Sequence, residues 1–168
     1  MFLALAGCSH QVNPEAFGLQ GRPDFDPVAF FNGHVLSYGV LENRSGQPTA
    51  IVRTDCRGSL ADNRLEMHQT LSITDQPDMV RDWKMWRTPD GHYAATANDM
   101  QDVATGEVKG NAFHWRWTLM LPNTVVGSVV MDQWWYAVDP QTMLNRTTIR
   151  KFGFVVAEVS EVFQRVPS

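Results

Sequence analysis

The sequence predicts an all-β protein, an up-and-down antiparallel β-barrel of about 8–10 strands with a short N-terminal helical turn. The clearest of three observations is at residues 111–121, where Phe113, Trp115 and Trp117 alternate with polar residues. Such a period of two is typical of a half-buried strand. The other two observations are further strand-like segments with short turns between them, and the near absence of helical periodicity. Consecutive hairpins favour a barrel over a sandwich because closure removes the edge strands.

Residues 26–33 predict the helical turn. Asp26 is a favoured N-cap residue, and Pro27 suits the first helical position. The Asn-Gly pair that follows would end the helix. We expect Phe30 and Phe31, at the end of this turn, to plug one end of the core.

Ten segments then follow as predicted strands, the sixth of them weak. Residues rich in Gly, Pro, Asn and Asp separate them, and Pro-Asp-Gly at 89–91 is the strongest hairpin signal. With eight or more strands, a barrel of this kind can hold a small ligand. The predicted strands cover residues 34–42, 49–57, 64–73, 80–88, 92–98, 107–109, 113–121, 127–138, 143–151 and 154–165.

Composition narrows the class of protein. A chain of 168 residues fits one domain, and 43% hydrophobic with 19% charged residues predicts a folded chain. The net charge of −4 argues against a general nucleic-acid binder. Six Trp and nine Phe predict either a large aromatic core, which is the commoner case, or an aromatic-lined cavity. No stretch approaches the roughly 20 apolar residues of a transmembrane helix.

The first residues resemble a lipoprotein signal. Leu-Ala-Gly-Cys at 5–8 is similar to the lipobox of bacterial lipoproteins, which predicts lipidation of Cys8. We interpret residues 1–8 as the remnant of a signal peptide, although no basic residue precedes Cys8. Ser9 at the next position favours the outer membrane over retention at the inner one. Residues 9–24 are polar and predict a flexible tether, and residues 25–168 form the barrel domain.

Several short motifs point to a family. They are Phe-Phe-Asn-Gly at 30–33, Gly-Asn-Ala at 110–112 with Trp115, Asp132 followed by Trp134, and Asn145-Arg146 with Lys-Phe-Gly at 151–153. Together, and in this order, they resemble a family of uncharacterised bacterial lipoproteins, domain of unknown function 3833. The resemblance implies a lipocalin-like or calycin-like barrel and a lipid anchor at the periplasmic face of the envelope. It implies no established activity.

Polar residues within apolar strands are the candidate site. Asp132 shares a strand face with Trp134 and Tyr136, and Arg146 follows in the next predicted strand. A buried carboxylate needs a partner, and a guanidinium is a planar bidentate one. We expect the two groups to meet inside the barrel. There they would either orient the head group of a ligand or form a closed ion pair that sets strand register. The predicted ligand-binding residues are Trp115, Trp117, Asp132, Trp134, Tyr136 and Arg146.

No catalytic or metal-binding motif stands out, so no catalytic residue, metal or cofactor is predicted. A metal or haem site would need converging ligands, and His34, His68 and His114 lie on different predicted strands. Glu66 and His68 share a strand face and could form an acid–base couple, but a solvated outer face is the better interpretation of both residues. Cys56 is interpreted as an inert strand thiol, with a disulfide to Cys8 open if that residue carries no lipid.

Three functions remain open at this point. The first is binding of an apolar or amphipathic small molecule, such as a fatty acid or lipid, with the membrane reached through Cys8. The second is an enzyme acting on a lipid-like substrate, which requires an acid or base with a perturbed pKa facing an open cavity. The third is a structural lipoprotein with a filled barrel, in which Trp115, Trp117 and Trp134 pack together without a void.

Overall fold

The computed structural model describes residues 25–122 and 124–167. This part of the chain forms one short helix and ten strands, so the predicted all-β class is confirmed. The predictions for residues 1–24 lie outside it. The elements are α1 Pro27–Phe30, β1 Gly33–Asn43, β2 Pro48–Ala61, β3 Arg64–Ile73, β4 Met79–Arg87, β5 Tyr93–Ala97, β6 Ala104–Lys109, β7 Ala112–Leu121, β8 Gly127–Asp139, β9 Thr142–Lys151 and β10 Phe154–Arg165.

The strands form a closed up-and-down barrel. Each strand pairs antiparallel with the next one along the chain, and β10 returns to pair with β1. In that closing pair, Val35 lies opposite Arg165 and Asn43 lies opposite Ala157. The predicted meander and its closure are confirmed. No helix in the described ranges is long and apolar enough to cross a membrane.

Two strands extend more than one residue beyond their predicted bounds, for different reasons. The second runs through Gly58, because this glycine serves a close contact and not a turn. A Cβ atom there would lie 2.0 Å from the carbonyl oxygen of Phe31, so only glycine allows the backbone after α1 to lie this close to β2. The sixth begins at Ala104 because Ala104 to Gly106 pair with β5. The Ala-Thr-Gly sequence carries too little alternation to predict this.

The helix α1 is capped at both ends. Asp26 caps its start, as predicted, and a residue distant in sequence caps its end. Asp26 Oδ1 accepts hydrogen bonds from the backbone N–H groups of Val28 (2.9 Å) and Ala29 (3.2 Å). The carbonyl oxygens at the other end need donors, since a helix cannot satisfy its own last turn. The guanidinium of Arg165, at the end of β10, donates to the carbonyl oxygens of Ala29, Phe30 and Asn32.

Below α1, aromatic rings close one end of the barrel. We call this group the aromatic plug: Phe25, Phe30, Phe31, Phe113, Trp135 and Phe163, all buried. Phe31 is central, with its ring centroid 5.7 Å from that of Trp135 and 6.0 Å from that of Phe163, both edge-on. Such edge-to-face pairs add to the free energy gained by burial. The prediction that Phe30 and Phe31 plug the core is confirmed.

Candidate ligand-binding cavity

The barrel is hollow above the aromatic plug. A cavity of about 300 Å³ occupies its interior and is lined by inward-facing side chains of eight strands and by Phe31. This volume lies at the lower end of the range for small-molecule sites. The filled-barrel prediction is therefore wrong. A larger hollow of about 610 Å³ lies outside the closed end beside Phe25 and Pro140, and it is not part of the interior.

The cavity wall has three layers along the barrel axis. The middle layer, which we call the polar belt, consists of Thr54, Gln69, Arg81, Gln133, Thr147 and Glu161. On each of these strands the next inward-facing residue towards the open end is apolar. Towards the closed end the next one is apolar on every strand except β9, where it is the buried Asn145, which accepts a hydrogen bond from Thr147. The open end is the apolar rim, formed by the half-buried Leu41, Leu71, Ile73, Met79, Leu119, Leu121, Met131 and Ile149.

Arg81 is the buried cation of the polar belt, only 7% exposed. Its Nε and Nη2 atoms each lie 2.7 Å from Asp99 Oδ2, and its Nη1 donates to Gln69 Oε1 at 3.3 Å. The guanidinium also lies 5.0 Å from the ring centroid of Trp117. A buried charge needs a partner of this kind to offset its desolvation. Asp99 comes from the loop after β5 and offsets part of the positive charge of Arg81.

Three tryptophans form one wall of the cavity, held by two glutamines. Trp83 donates to Gln69 Oε1 at 2.8 Å, while Trp115 and Trp117 both donate to Gln133 Oε1, at 2.7 and 2.8 Å. The rings of Trp83 and Trp115 stack at 5.4 Å. Because every indole N–H of this wall is satisfied, the wall presents flat apolar faces in a fixed orientation.

Glu161 lies in the belt on the opposite side of the barrel. Its Oε1 accepts hydrogen bonds from Ser37 Oγ (2.7 Å) and Thr54 Oγ1 (3.2 Å), whereas Oε2 has no partner among the described residues. Burial raises the pKa of this carboxyl above its ordinary value of 4.5, although the two hydrogen bonds oppose the shift. Gly39 makes room for it, because a Cβ atom there would lie 2.4 Å from Glu161 Cγ. The belt thus holds a carboxyl group with one oxygen free.

Cys56 lies below the belt and behaves as the sequence interpretation expects. The thiol is buried, and burial together with the charge of Glu161 raises its pKa to about 12. Gln69 Nε2 lies 3.8 Å from its sulfur. A thiol with this pKa stays protonated near neutral pH and is a poor nucleophile. The alternative of a disulfide with Cys8 involves a residue outside the described ranges.

Of the six predicted ligand-binding residues, Trp115 and Trp117 line the cavity. The other four are on the outer face of the barrel, so the prediction that Asp132 and Arg146 meet inside is wrong. Asp132 Oδ1 pairs with His114 Nε2 at 2.8 Å, and Arg146 pairs with Glu158 at 3.1 Å. The cause is the phase of β8, whose odd-numbered positions face inward. The outward residues are Asp132, Trp134, Tyr136 and Arg146.

The histidines also lie outside the cavity. His68 pairs with Asp82 at 2.7 Å with both side chains well exposed, so the interpretation of this face as solvated is confirmed. His34 pairs with Asp55 at 3.1 Å. Across residues 25–122 and 124–167, no three His, Cys, Asp or Glu side chains come together in a way that would hold a metal ion. Among the described residues, no histidine lines the cavity as a haem ligand would.

The polar belt itself was not predicted from sequence. Gln69 and Arg81 share strand faces with apolar residues, so each taken alone reads as an isolated interruption of the pattern. Glu161 lies in an alternating segment, between Val159 and Phe163. The available signal was a single polar residue in the apolar phase of several consecutive strands.

Comparison with known proteins gives a family and a fold. A family model described as a protein of unknown function, DUF3833, matches residues 2–165. The chain belongs to this family. No curated protein sequence matches the chain. Among solved structures, the S-type phycobiliprotein lyase of Guillardia theta aligns with a TM-score of 0.59 and 9% sequence identity, over 94% of this chain and 95% of that one. This similarity shows a shared lipocalin-like barrel fold.

Proposed function

We propose that the barrel binds an amphipathic small molecule, a fatty acid or another lipid, inside its cavity. The observation that carries the proposal is the order of the layers. A molecule entering from the open end meets the apolar rim first and the polar belt only deeper inside. Its polar head would therefore bind at the belt, and its apolar chain would lie against the rim and extend towards the open end.

The rim favours an apolar chain because its side chains are half-buried and line the cavity. Leu119 and Ile149 are examples, on β7 and β9. Removing apolar surface from water stabilises a complex by about 25 cal/mol per Å². A hydrocarbon chain can bury this surface without leaving polar atoms unsatisfied. A fully polar ligand of the same size would lose its hydration at the rim and gain little.

The belt favours a head group with oxygen acceptors. Below its raised pKa, Glu161 is protonated and can donate a hydrogen bond from Oε2 to a carboxylate, ester or amide oxygen. Arg81 adds positive potential on the tryptophan wall, although Asp99 offsets part of it. A fatty-acid carboxylate fits both groups and shares one proton with Glu161. Binding should then weaken as the pH rises through the pKa of Glu161.

A titration with a fluorescent fatty acid tests this proposal. The native chain should bind the probe in a saturable way. Glu161→Gln keeps the shape but cannot supply the shared proton, so the pH dependence of binding should disappear. The matched control is Glu158→Gln on the same strand, since Glu158 faces outward and pairs with Arg146. Absence of saturable binding by the native chain at any pH would refute the proposal.

Glu161 also favours a second function, an enzyme acting on a lipid-like substrate. A carboxyl group with a raised pKa and a free oxygen in a cavity is a candidate general acid or base. An isomerase or cyclase needs little more than such a group and a shaped apolar site. Incubation of the chain with lipid mixtures, followed by mass spectrometry of the lipids, separates the two functions. A carrier returns its ligand unchanged, whereas an enzyme yields a product that Glu161→Gln does not form.

We further propose that the chain is a lipoprotein, with Cys8 acylated and the barrel held at the periplasmic face of the outer membrane. The support is the lipobox-like sequence at 5–8 and the position of Ser9. A single acyl chain anchors only marginally, so stable attachment would need more than one. Metabolic labelling with an alkyne-tagged fatty acid tests the assignment. Labelling should be lost in Cys8→Ser, and unlabelled native protein would contradict it.

A further inference from the structure

The open end of the barrel is asymmetric, and its most exposed apolar side chains lie on one side. They lie on two hairpins, the β7–β8 connection and the β9–β10 turn. Phe152 and Phe154 are 87% and 76% exposed, and Val125 and Val126 are exposed as well. We call these four residues the hydrophobic tips. By contrast, the β1–β2 and β3–β4 turns at the same end, residues 43–47 and 74–78, are polar.

The two hairpins form one continuous surface. Their strands β8 and β9 are hydrogen-bonded neighbours, with Arg150 opposite Val130. Lys151, at the end of β9, joins them by donating from Nζ to the carbonyl oxygen of Ser128 at 2.6 Å. Each hairpin begins beyond a residue of the apolar rim, Leu121 on β7 and Ile149 on β9. The hydrophobic tips therefore extend the apolar rim outwards.

Phe152 occupies a backbone conformation that its residue type disfavours. Its φ angle is 50°, and that of Gly153 is 83°, so the two-residue turn has positive φ at both positions. Asn, Asp or Gly is the usual residue at the first of these positions, because a larger side chain is strained there. A bulky ring that is both strained and exposed gains nothing in water. Strain of this kind is a reason to look for a function.

Positive charge lies at the base of the tips. The ammonium group of Lys151 is 4.6 Å from the ring centroid of Phe152, and Arg150 precedes it. The carboxylates on the neighbouring strands offset this positive charge only in part, because they are also paired with other cations. Asp132 is shared between His114, Arg116 and Arg150, and Glu158 pairs with Arg146. Apolar side chains at a surface with cations just behind them match the order of layers in an anionic bilayer, where acyl chains lie below charged head groups.

We infer that the hydrophobic tips dock the barrel on an anionic lipid surface, with the apolar rim facing the acyl chains. Phe152, Phe154, Val125 and Val126 enter the bilayer interface, and Lys151 with Arg150 contacts the head groups. The docking stands on the tips alone and does not depend on what the cavity binds. Together with the proposed function, it lets a lipid pass between bilayer and barrel without crossing water.

Vesicle flotation tests the docking. The full chain carrying Cys8→Ser, which removes any acyl anchor, is mixed with phosphatidylcholine vesicles that either lack or contain about one-third phosphatidylglycerol. We expect binding to the anionic vesicles. The double variant Phe152→Asn with Phe154→Ser should bind vesicles about tenfold or more weakly. Each substitution removes a substantial apolar area that the bilayer interface would bury. Lys151→Gln should reduce the preference for anionic vesicles.

The control is Leu60→Asn, which removes an exposed apolar side chain from β2 near the closed end. This variant should bind vesicles like the parent. Asn is favoured at position 152, so thermal unfolding should show that the double variant is folded. Binding of the fluorescent fatty acid in vesicle-free buffer should remain, which keeps this test separate from that of the cavity. No flotation with either vesicle type, or equal losses in the double variant and in Leu60→Asn, would overturn the inference.

Discussion

The two ends of the barrel are both apolar, but they are apolar in different ways. At the closed end, aromatic rings pack on one another and are almost completely buried. At the open end, the apolar rim consists of aliphatic and methionine side chains that are half-buried and face a void. The closed end has already gained its free energy of burial. The open end still has apolar surface for a ligand to cover.

This difference teaches that aromatic content alone does not locate a binding site. The phenylalanines of the aromatic plug stabilise the fold, and the three tryptophans above it, Trp83, Trp115 and Trp117, form a fixed wall. The surface left for a ligand is the rim, which has no aromatic residue. Variants at the two ends should therefore separate stability from binding.

The largest expected effect is on stability at the closed end. Phe31→Ala should lower the free energy of unfolding by about 3–5 kcal/mol, because the ring packs against Trp135 and Phe163 and leaves a cavity when removed. Urea denaturation measures this. Leu119→Ala on the rim should cost less, about 1–2 kcal/mol, since its side chain is only partly buried and lines the cavity. Similar losses in the two variants would contradict the distinction between the ends.

The rim should instead control binding. Ile149→Ala removes an apolar contact of the ligand chain and should weaken fatty-acid affinity about tenfold, because each buried methylene contributes about 0.8 kcal/mol. The measurement is the fluorescent fatty-acid titration, with unfolding followed in parallel. A loss of stability without a loss of affinity would show that the rim is structural.

The polar belt between the two ends should make stability depend on pH. Glu161 has a raised pKa in the folded chain because of burial, so the folded state holds its proton when the unfolded state has lost it. The stability contributed by this group is present below pH 4.5 and is lost as the pH rises through the raised folded pKa. Glu161→Gln should remove this component of the pH dependence in denaturation curves. An unchanged pH profile would contradict the burial of an ionisable group in the belt.

The smallest effect is expected on the outer face. Trp134 stacks on His114 at 4.1 Å outside the barrel and is absent from the cavity wall. Trp134→Ala should change fatty-acid affinity by less than about twofold and stability by about 1 kcal/mol or less. Titration and denaturation of the same preparation check both values. A large loss of affinity would mean that ligand binds on the outer face.

The sequence predicted the fold well because turn residues and alternation are local signals. In β7 the aromatic and polar residues alternate cleanly, so the inward positions of Trp115 and Trp117 were predicted correctly. In β8 adjacent aromatic residues, Trp134 and Trp135, occupy both faces. The phase of that strand was therefore ambiguous, and Asp132 was predicted to face inward when it faces out.

The polar belt was beyond prediction because it depends on registers between strands. Arg81 and its partner Asp99 belong to β4 and to the loop after β5, and no local pattern joins them. Ser37 and Thr54 reach Glu161, more than one hundred positions further along the chain, only because β1 and β10 close the barrel. A single polar residue in an apolar strand looks like an exception to the pattern. Only the registers show that six such residues lie at the same level of the barrel and form one polar layer.

Native mass spectrometry of two matched variants tests the central claim that an interior cavity takes up an apolar chain. Val159→Phe fills the cavity beside Glu161, and Val162→Phe makes the same substitution on the outward face of β10. After incubation with fatty acid, the native chain and Val162→Phe should each retain one lipid-sized adduct, and Val159→Phe should show the bare mass. An adduct of equal abundance on Val159→Phe, or none on the native chain, would contradict it.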